Sequence, residues 1–202
     1  MATVNGSRAM PSAVMADFAG LVLAGGASSR MGEDKALLRH GQESLLALAV
    51  RRLTAAGADP VLVSGDRPAY DCVPDQQPGL GPLGGLASVL AERPGLGGRV
   101  LLVTAVDTPG LGADELLALV RDLGDGEPGV YFQNHPLPLA LRVTPALQQC
   151  LGELLADGRG APVHRLAAAM GFRHLSAERA DLRNINTPQD WQAFQVGREA
   201  AP

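Results

Sequence analysis

Apolar residues along this chain fall into short unbroken runs separated by segments of helical period. The runs GLVLA (20–24), PVLVS (60–64) and VLLVTAV (100–106) are each bounded by glycine, proline or acidic residues. Runs this short and this uniformly apolar read as strands buried on both faces of a sheet. Between the first two, Ser44 suits the N-cap of a helix to about Ala56, with Leu45, Leu48, Ala49 and Leu53 on one face and Gly57 closing it. Residues 71–75 form a short extended piece and 76–85 a loop rich in proline and glycine. A helix follows to about Glu92, where Arg93-Pro94-Gly95 breaks it, and another runs from near Asp114 to about Leu123. After a loop at 124–129, residues 130–133 and 137–141 read as two strands joined by Asn134-His135-Pro136. Pro138 has no N–H for a ladder and predicts an edge position for the second. Pro145 opens a helix reaching about Ala156, a turn at 157–162 leads into a helix to about Met170, and 172–175 is a short strand. Thr187 as N-cap and Pro188 at the first position start the last helix.

Strand–helix alternation through the first half predicts an α/β fold: a mostly parallel sheet with helices on both faces, three layers deep. The last third adds edge strands and packing helices. At 202 residues the chain is long enough for one substantial core, and it shows neither a repeat nor a linker. The expected organisation is an N-terminal extension at 1–18, a single domain at 19–196 and a frayed tail at 197–202. Pro11, Ser12 and Asp17 interrupt any apolar core near the start, so the extension does not read as a signal peptide. No run approaches the length of a membrane span.

A net charge of −4 without a long basic run argues against nucleic-acid or anionic-membrane binding. Cys72 and Cys150 fit no zinc spacing. Buried, reduced thiols are the expectation, which suits the cytoplasm.

The candidate chemistry begins where the first strand stops. LVLAGGASSRMGEDKALL (21–38) leads from apolar strand into Gly25-Gly26, small polar residues, and then Arg30, Gly32 and Lys35. Glycines let backbone N–H groups approach a ligand closely, and successive N–H groups make an anion-binding nest. Arg30 adds a planar fork of donors and Lys35 a point charge. The loop lacks both the G-x-x-x-x-G-K-[ST] and the G-x-G-x-x-G spacings, so it is neither of those two phosphate loops. The alternative is an ordinary strand–turn connection with both cations solvated. Asp34 orients Lys35 or caps local backbone. Asp107 ends the strongest strand run, at the edge where open α/β sheets take ligands, and is either a metal ligand or a turn-former ahead of Thr108-Pro109. His135 is either near the substrate or a hydrogen-bonded structural residue, Trp191 reads as packing, and Arg159 lies in a turn, solvated or near a distal phosphate.

Three segments, LAGGASSRMGEDKALL, VTAVDTPGL and NINTPQD, together resemble the molybdenum cofactor guanylyltransferases, within the nucleotidyltransferases of Rossmann-like fold. The likeness spans nearly all of 20–194. It implies an enzyme that binds Mg²⁺-GTP and the molybdopterin cofactor and releases pyrophosphate as it forms the guanine dinucleotide. By this resemblance Leu23, Ala24, Gly25 and Gly26 contact the nucleotide, and Arg30 and Lys35 contact phosphates. Ser64 falls where many relatives carry Asn, and Asp75 matches a nucleotide-binding Asp. Asp107 matches the Mg²⁺ ligand. Gly81 and Pro82, with Asn184 and Asn186, fall on the molybdopterin side. A recipient molybdoenzyme or its chaperone is a further partner the resemblance admits. A cytidylyltransferase acting on the same cofactor, another nucleotidyltransferase, and a carrier module that binds the nucleotide or cofactor without catalysis are the competing readings.

Overall fold

The computed structural model describes residues 17–25, 34–177 and 180–199. Its main sheet has seven strands. β1 (Phe18–Leu23), β4 (Val61–Ser64), β5 (Cys72–Val73) and β6 (Val100–Ala105) come from the first half of the chain. β7 (Gly129–Phe132), β8 (His135–Arg142) and β9 (Arg173–Leu175) come from the second. Two short strands, β2 (Arg39–His40) and β3 (Glu43–Ser44), pair separately as a small antiparallel hairpin. The order across the main sheet is β5-β4-β1-β6-β8-β7-β9. Every neighbouring pair is parallel except the two made by β8, which runs against β6 on one side and β7 on the other. The expected three-layer α/β architecture is therefore present.

The helices are α1 (Leu45–Ala55), α2 (Gly81–Glu92), α3 (Ala113–Asp122), α4 (Pro145–Leu155), α5 (Val163–Met170) and α6 (Pro188–Glu199). Side chains on a strand alternate between faces, and β1 shows the consequence: Phe18 and Val22 enter one core, Ala19, Leu21 and Leu23 the other. The first core contains Leu46, Ala49 and Leu53 of α1 and Leu116, Leu119 and Val120 of α3. The second contains Leu83, Leu86 and Val89 of α2, Leu147 and Leu151 of α4, and Leu166 of α5. A strand flanked by strands on both edges and helices on both faces has few polar positions to spare, which is why β1 is wholly apolar and β6 carries only Thr104 as a polar residue. Gly20 falls on the α1 side, where an added Cβ would lie 3.0 Å from the Cβ of Ala58 and 3.1 Å from Leu53.

Several boundaries differ from the sequence reading. β1 starts at Phe18, already buried, and the following helical tail continues through Glu199. The loop expected over 76–85 ends earlier, because α2 begins at Gly81. Pro82 sits in its first turn, where a missing N–H costs nothing, and Gly84 and Gly85 are buried within the helix. The strand containing Pro138 is not at an edge: β8 lies between β6 and β7. Its pairing with β6 runs from Leu139 to Arg142, and its register with β7 slips at Tyr131/Phe132, so no ladder bond is required from position 138. β8 also starts at His135, leaving a turn with Asn134 in the left-handed region (φ 65°). Cys72 and Cys150 are unbonded and half-buried rather than buried; burial, and then Glu153, push the Cys150 thiol up. No helix among the described residues is long and apolar enough to cross a membrane.

The edge strand β9 is clamped by charge. Arg173 donates through Nε and Nη2 to the two carboxylate oxygens of Glu127, at 2.7 and 2.9 Å, and also to the Asp122 carbonyl. Glu127 accepts from the Gly124 N–H as well, at 2.8 Å. Arg173 first, then this N–H, draw the Glu127 carboxyl down from 4.5 to about 2. A carboxyl lowered in the folded state contributes stability above its unfolded value, and that stability is lost as pH falls through the folded one. Glu127→Gln is therefore expected to melt below wild type at pH 7, with the difference shrinking between about pH 4.5 and 2. Thermal melts across that range test this, and a difference independent of pH would contradict it.

Candidate active site

The chain runs from β1 outward to β4 and β5, then crosses back over β1 to place β6 on its other side. The strand order thus reverses between β1, whose next strand in the sheet is β4, and β6, whose next is β8, with a crevice between their carboxyl ends; open α/β sheets bind ligands at such a reversal. A cleft of about 210 Å³ lies there, lined by Leu23, Ala24 and Gly25 from the end of β1 and Ala105, Val106 and Asp107 from the end of β6. Asp34, Lys35, Ala36, Pro82 and Leu137 complete its described walls.

Lys35 opens a single 3-10 turn (Lys35–Leu37) whose N-cap is Asp34: the Asp34 carboxylate accepts from the Ala36 N–H at 3.0 Å. The Lys35 ammonium donates to the Asn186 side-chain oxygen at 2.9 Å. Asn186 is held by the start of α6. Asp190 accepts from the backbone N–H groups of Asn186 (2.9 Å) and Thr187 (2.8 Å), while the Asp190 N–H donates to the Thr187 hydroxyl at 3.1 Å. These bonds, the Asn186 N–H first, lower the Asp190 carboxyl. The same segment reaches β6, since the Ile185 N–H donates to the Asp107 carbonyl at 2.8 Å. One connection before α6 thus touches two of the charged residues of the cleft, Lys35 and Asp107. Asn184, beside it, is exposed.

Asp107 is half-buried, and burial raises its carboxyl above the ordinary value; Lys35 and the Asp107 backbone N–H pull the other way without cancelling that effect. Such a carboxylate gains from a cation. Among the described residues no group of three or more His, Cys, Asp or Glu is arranged around a metal. One carboxylate nevertheless fits Mg²⁺, which takes most of its ligands from phosphates and water.

A second corner adjoins Gly25. Ser64, buried at the end of β4, donates to the Asp75 carboxylate at 3.4 Å. A Cβ on Gly25 would lie 2.9 Å from the other Asp75 oxygen, and one on Gly85 would collide with the Ser64 hydroxyl. Glycine at both positions lets Asp75 stand against the β1 end. Gly81 has φ +67° at the start of α2, and Pro82 beside it reaches the cleft. Gly26 and Arg30 lie outside the described residues.

Elsewhere the side chains behave as packing or surface groups. Trp191 stacks on Phe194 at 5.9 Å, with His40 against both rings, and Arg159 pairs with Asp157 at 3.2 Å in its exposed turn. His135 does not line the cleft, whereas Leu137, two residues on, does. Sequence reasoning missed Arg67, Leu137 and Asp190. Of these only Asp190 left a signal, the Thr-x-x-Asp spacing of a helix cap.

The description "MobA-like NTP transferase domain" matches residues 20–176. The chain belongs to this family. Among relatives, a molybdenum cofactor guanylyltransferase of Xanthomonas euvesicatoria pv. vesicatoria is 40% identical over 85% of this chain and 91% of its own length. A probable molybdenum cofactor guanylyltransferase of Synechococcus elongatus is 32% identical over 89% and 99%. The crystal structure of molybdopterin-guanine dinucleotide biosynthesis protein A from Archaeoglobus fulgidus superposes with TM-score 0.73, at 16% identity, over 90% of this chain and 99% of that one. This last likeness carries the fold alone.

A transferase that holds a carboxylate partly out of water does so at a cost to its stability. The Asp107 carboxyl is raised in the folded state, so the folded protein binds that proton more tightly than the unfolded chain. Stability then falls as pH rises from the ordinary carboxyl range through the raised value. Asp107→Asn removes the buried charge and is expected to melt above wild type at neutral pH, the gain vanishing in acid where both are uncharged. Paired melts at pH 7 and pH 3 check this; a variant less stable at pH 7 would contradict it.

Proposed function

We propose that the chain is a molybdenum cofactor guanylyltransferase, transferring GMP from GTP to the phosphate of molybdopterin. The observation that carries this reading is that Lys35 and Asp107 face one cleft at the β1–β6 divergence, in a chain of this family. In the reaction, a phosphate oxygen of molybdopterin forms a bond to the α-phosphorus of GTP. The bond from that phosphorus to the bridging oxygen breaks, and pyrophosphate departs with the electron pair. The attacking phosphate is already anionic, so the site requires positioning and charge neutralisation rather than a protein nucleophile.

The backbone of Leu23, Ala24, Gly25 and Gly26 cradles the nucleotide, and Arg30 and Lys35 bind its phosphates. Asp107 would hold Mg²⁺, and the metal would supply neutralisation of the phosphates' negative charge. Ser64 and Asp75 form the base corner. A carboxylate only accepts hydrogen bonds. The pairing edge of guanine offers N–H donors at both N1 and N2, whereas cytosine offers only its amino group, so Asp75 favours GTP. Ser64 supports Asp75 by donating to it. Gly81, Pro82, Asn184 and Asn186 take the molybdopterin side, where Asn186 also steadies Lys35. We take residues 19–196 as the nucleotidyltransferase unit, acting in the cytoplasm and passing its product to a recipient molybdoenzyme or its chaperone.

The test is Mg²⁺-dependent pyrophosphate release with molybdopterin and, in parallel, GTP, CTP, ATP or UTP. GTP is expected to be used best, because a site built to pair base-edge donors rejects analogues lacking them. Asp107→Asn is expected to slow turnover by roughly a hundredfold or more while remaining folded by circular dichroism. Preference for CTP would assign the chain to cytidylyl transfer. No release with any nucleotide would favour a carrier.

A further inference from the structure

Arg67 lies in the loop after β4 and does not line the cleft. Its Nη2 donates to the Ala24 carbonyl at 3.1 Å and to the Asp34 carboxylate at 2.6 Å. The first contact is at the end of β1, the second at the cap of the turn that opens with Lys35. The loop carrying Arg67 is itself anchored: the Gly65 N–H donates to the Val73 carbonyl at 2.8 Å and the Tyr70 N–H to the Arg67 carbonyl at 2.9 Å. Arg67 and Asp34 are only 22 and 35% exposed, whereas in every other ion pair among the described residues one partner is at least 44% exposed. Exposed pairs contribute little, but one half removed from water is screened less.

From these contacts we infer that Arg67 is a positioning residue for nucleotide binding: it ties the Asp34–Lys35 turn to the end of β1 and neutralises Asp34. Both halves have a chemical reason. Asp34 is an anionic side chain lining the same cleft as Lys35. Left unpaired there, it would repel a triphosphate and offset the attraction of the lysine. Paired to Arg67, its second oxygen still caps the Ala36 N–H, so the turn keeps its shape while the charge is matched. The planar guanidinium sends two hydrogens of one nitrogen to two fixed acceptors. An ammonium on a flexible stem supplies the charge without that fixed direction. The inference rests on the reading of this cleft as the GTP site, but its first readout needs no nucleotide.

The experiment compares the full-length wild type with Arg67→Gln, Arg67→Lys, Asp34→Asn and the double variant Arg67→Gln/Asp34→Asn. Without nucleotide, amide exchange by NMR reports on Ala36 and Leu37, whose N–H groups bond to the side chain and backbone of Asp34. In Arg67→Gln these two amides are expected to exchange about tenfold faster, while Val22 and Leu102 in the sheet stay as in wild type. With GTP, Kd and KM are expected to rise about tenfold in Arg67→Gln, with kcat changing less. The double variant should bind GTP more tightly than Arg67→Gln, because the unmatched carboxylate is gone. A purely structural role would make the double variant no better than the single one. Arg67→Lys, which keeps the charge, should fall between wild type and Arg67→Gln, and it serves with its own Asp34→Asn double if Arg67→Gln does not fold. Unchanged exchange at Ala36 and Leu37 overturns the positioning role, and a double variant that binds GTP no better than its single overturns the neutralising one. Wild-type protein that shows no GTP binding while the exchange changes as expected would instead count against the GTP assignment.

Discussion

The cleft depends on how the chain is ordered about β1. With β4 on one edge and β6 on the other, both parallel to it, three carboxyl strand ends stop at one side of the sheet. The crossing from β5 back to β6 then leaves a cleft between the carboxyl ends of β1 and β6. The pairing Leu23↔Ala105 places the ends of β1 and β6 side by side, and Gly25 and Asp107 each lie two residues beyond the end of their strand. A buried parallel sheet is a stiff scaffold for such a placement, because both faces are packed and any slip in register would carry apolar side chains to the wrong core.

Charge in the cleft is arranged around this frame by residues far away in sequence. Asp107 is held partly out of water and its carboxyl is raised by that burial. Lys35 is kept near by Asn186, which Asp190 fixes in turn, and the Ile185 N–H meets the Asp107 carbonyl. At the cap of the turn that opens with Lys35, Arg67 matches Asp34. A partly desolvated carboxylate and a lysine in one cavity suit a ligand that brings negative phosphates together with a cation. They suit a neutral substrate less, since Lys35 and the Asp107 backbone N–H offset the desolvation of Asp107 only in part.

Much of the fold was legible because its central strands are buried on both faces. The runs at 20–24, 60–64 and 100–106 carry no charge and only Ser64 and Thr104 as polar residues, and Ser44 and Thr187 mark the starts of α1 and α6. Asp107 was legible because a strand end is a position as well as a residue type. Pro138 misled because proline is excluded from a ladder only where a ladder bond is needed, and the register slip between β7 and β8 removes that need. Gly81–Gly85 misled because glycines that look like a loop are here the price of close packing at the start of α2, against Leu80 and Ser64. The Arg67–Asp34 pair had no sequence signal. The two residues are 33 positions apart and meet only because β1 and β4 are neighbours in the sheet.

The claim on which all of this turns is that the cleft directs attack at the α-phosphorus of GTP. The most direct measurement follows the label in two parallel reactions with Mg²⁺ and molybdopterin, one with GTP labelled at the α-phosphate and one with GTP labelled at the γ-phosphate. The account predicts that the α-label is retained in a dinucleotide product while the γ-label leaves as pyrophosphate. Release of the α-label as free GMP, or of the γ-label as orthophosphate, would mean hydrolysis rather than nucleotidyl transfer and would contradict it.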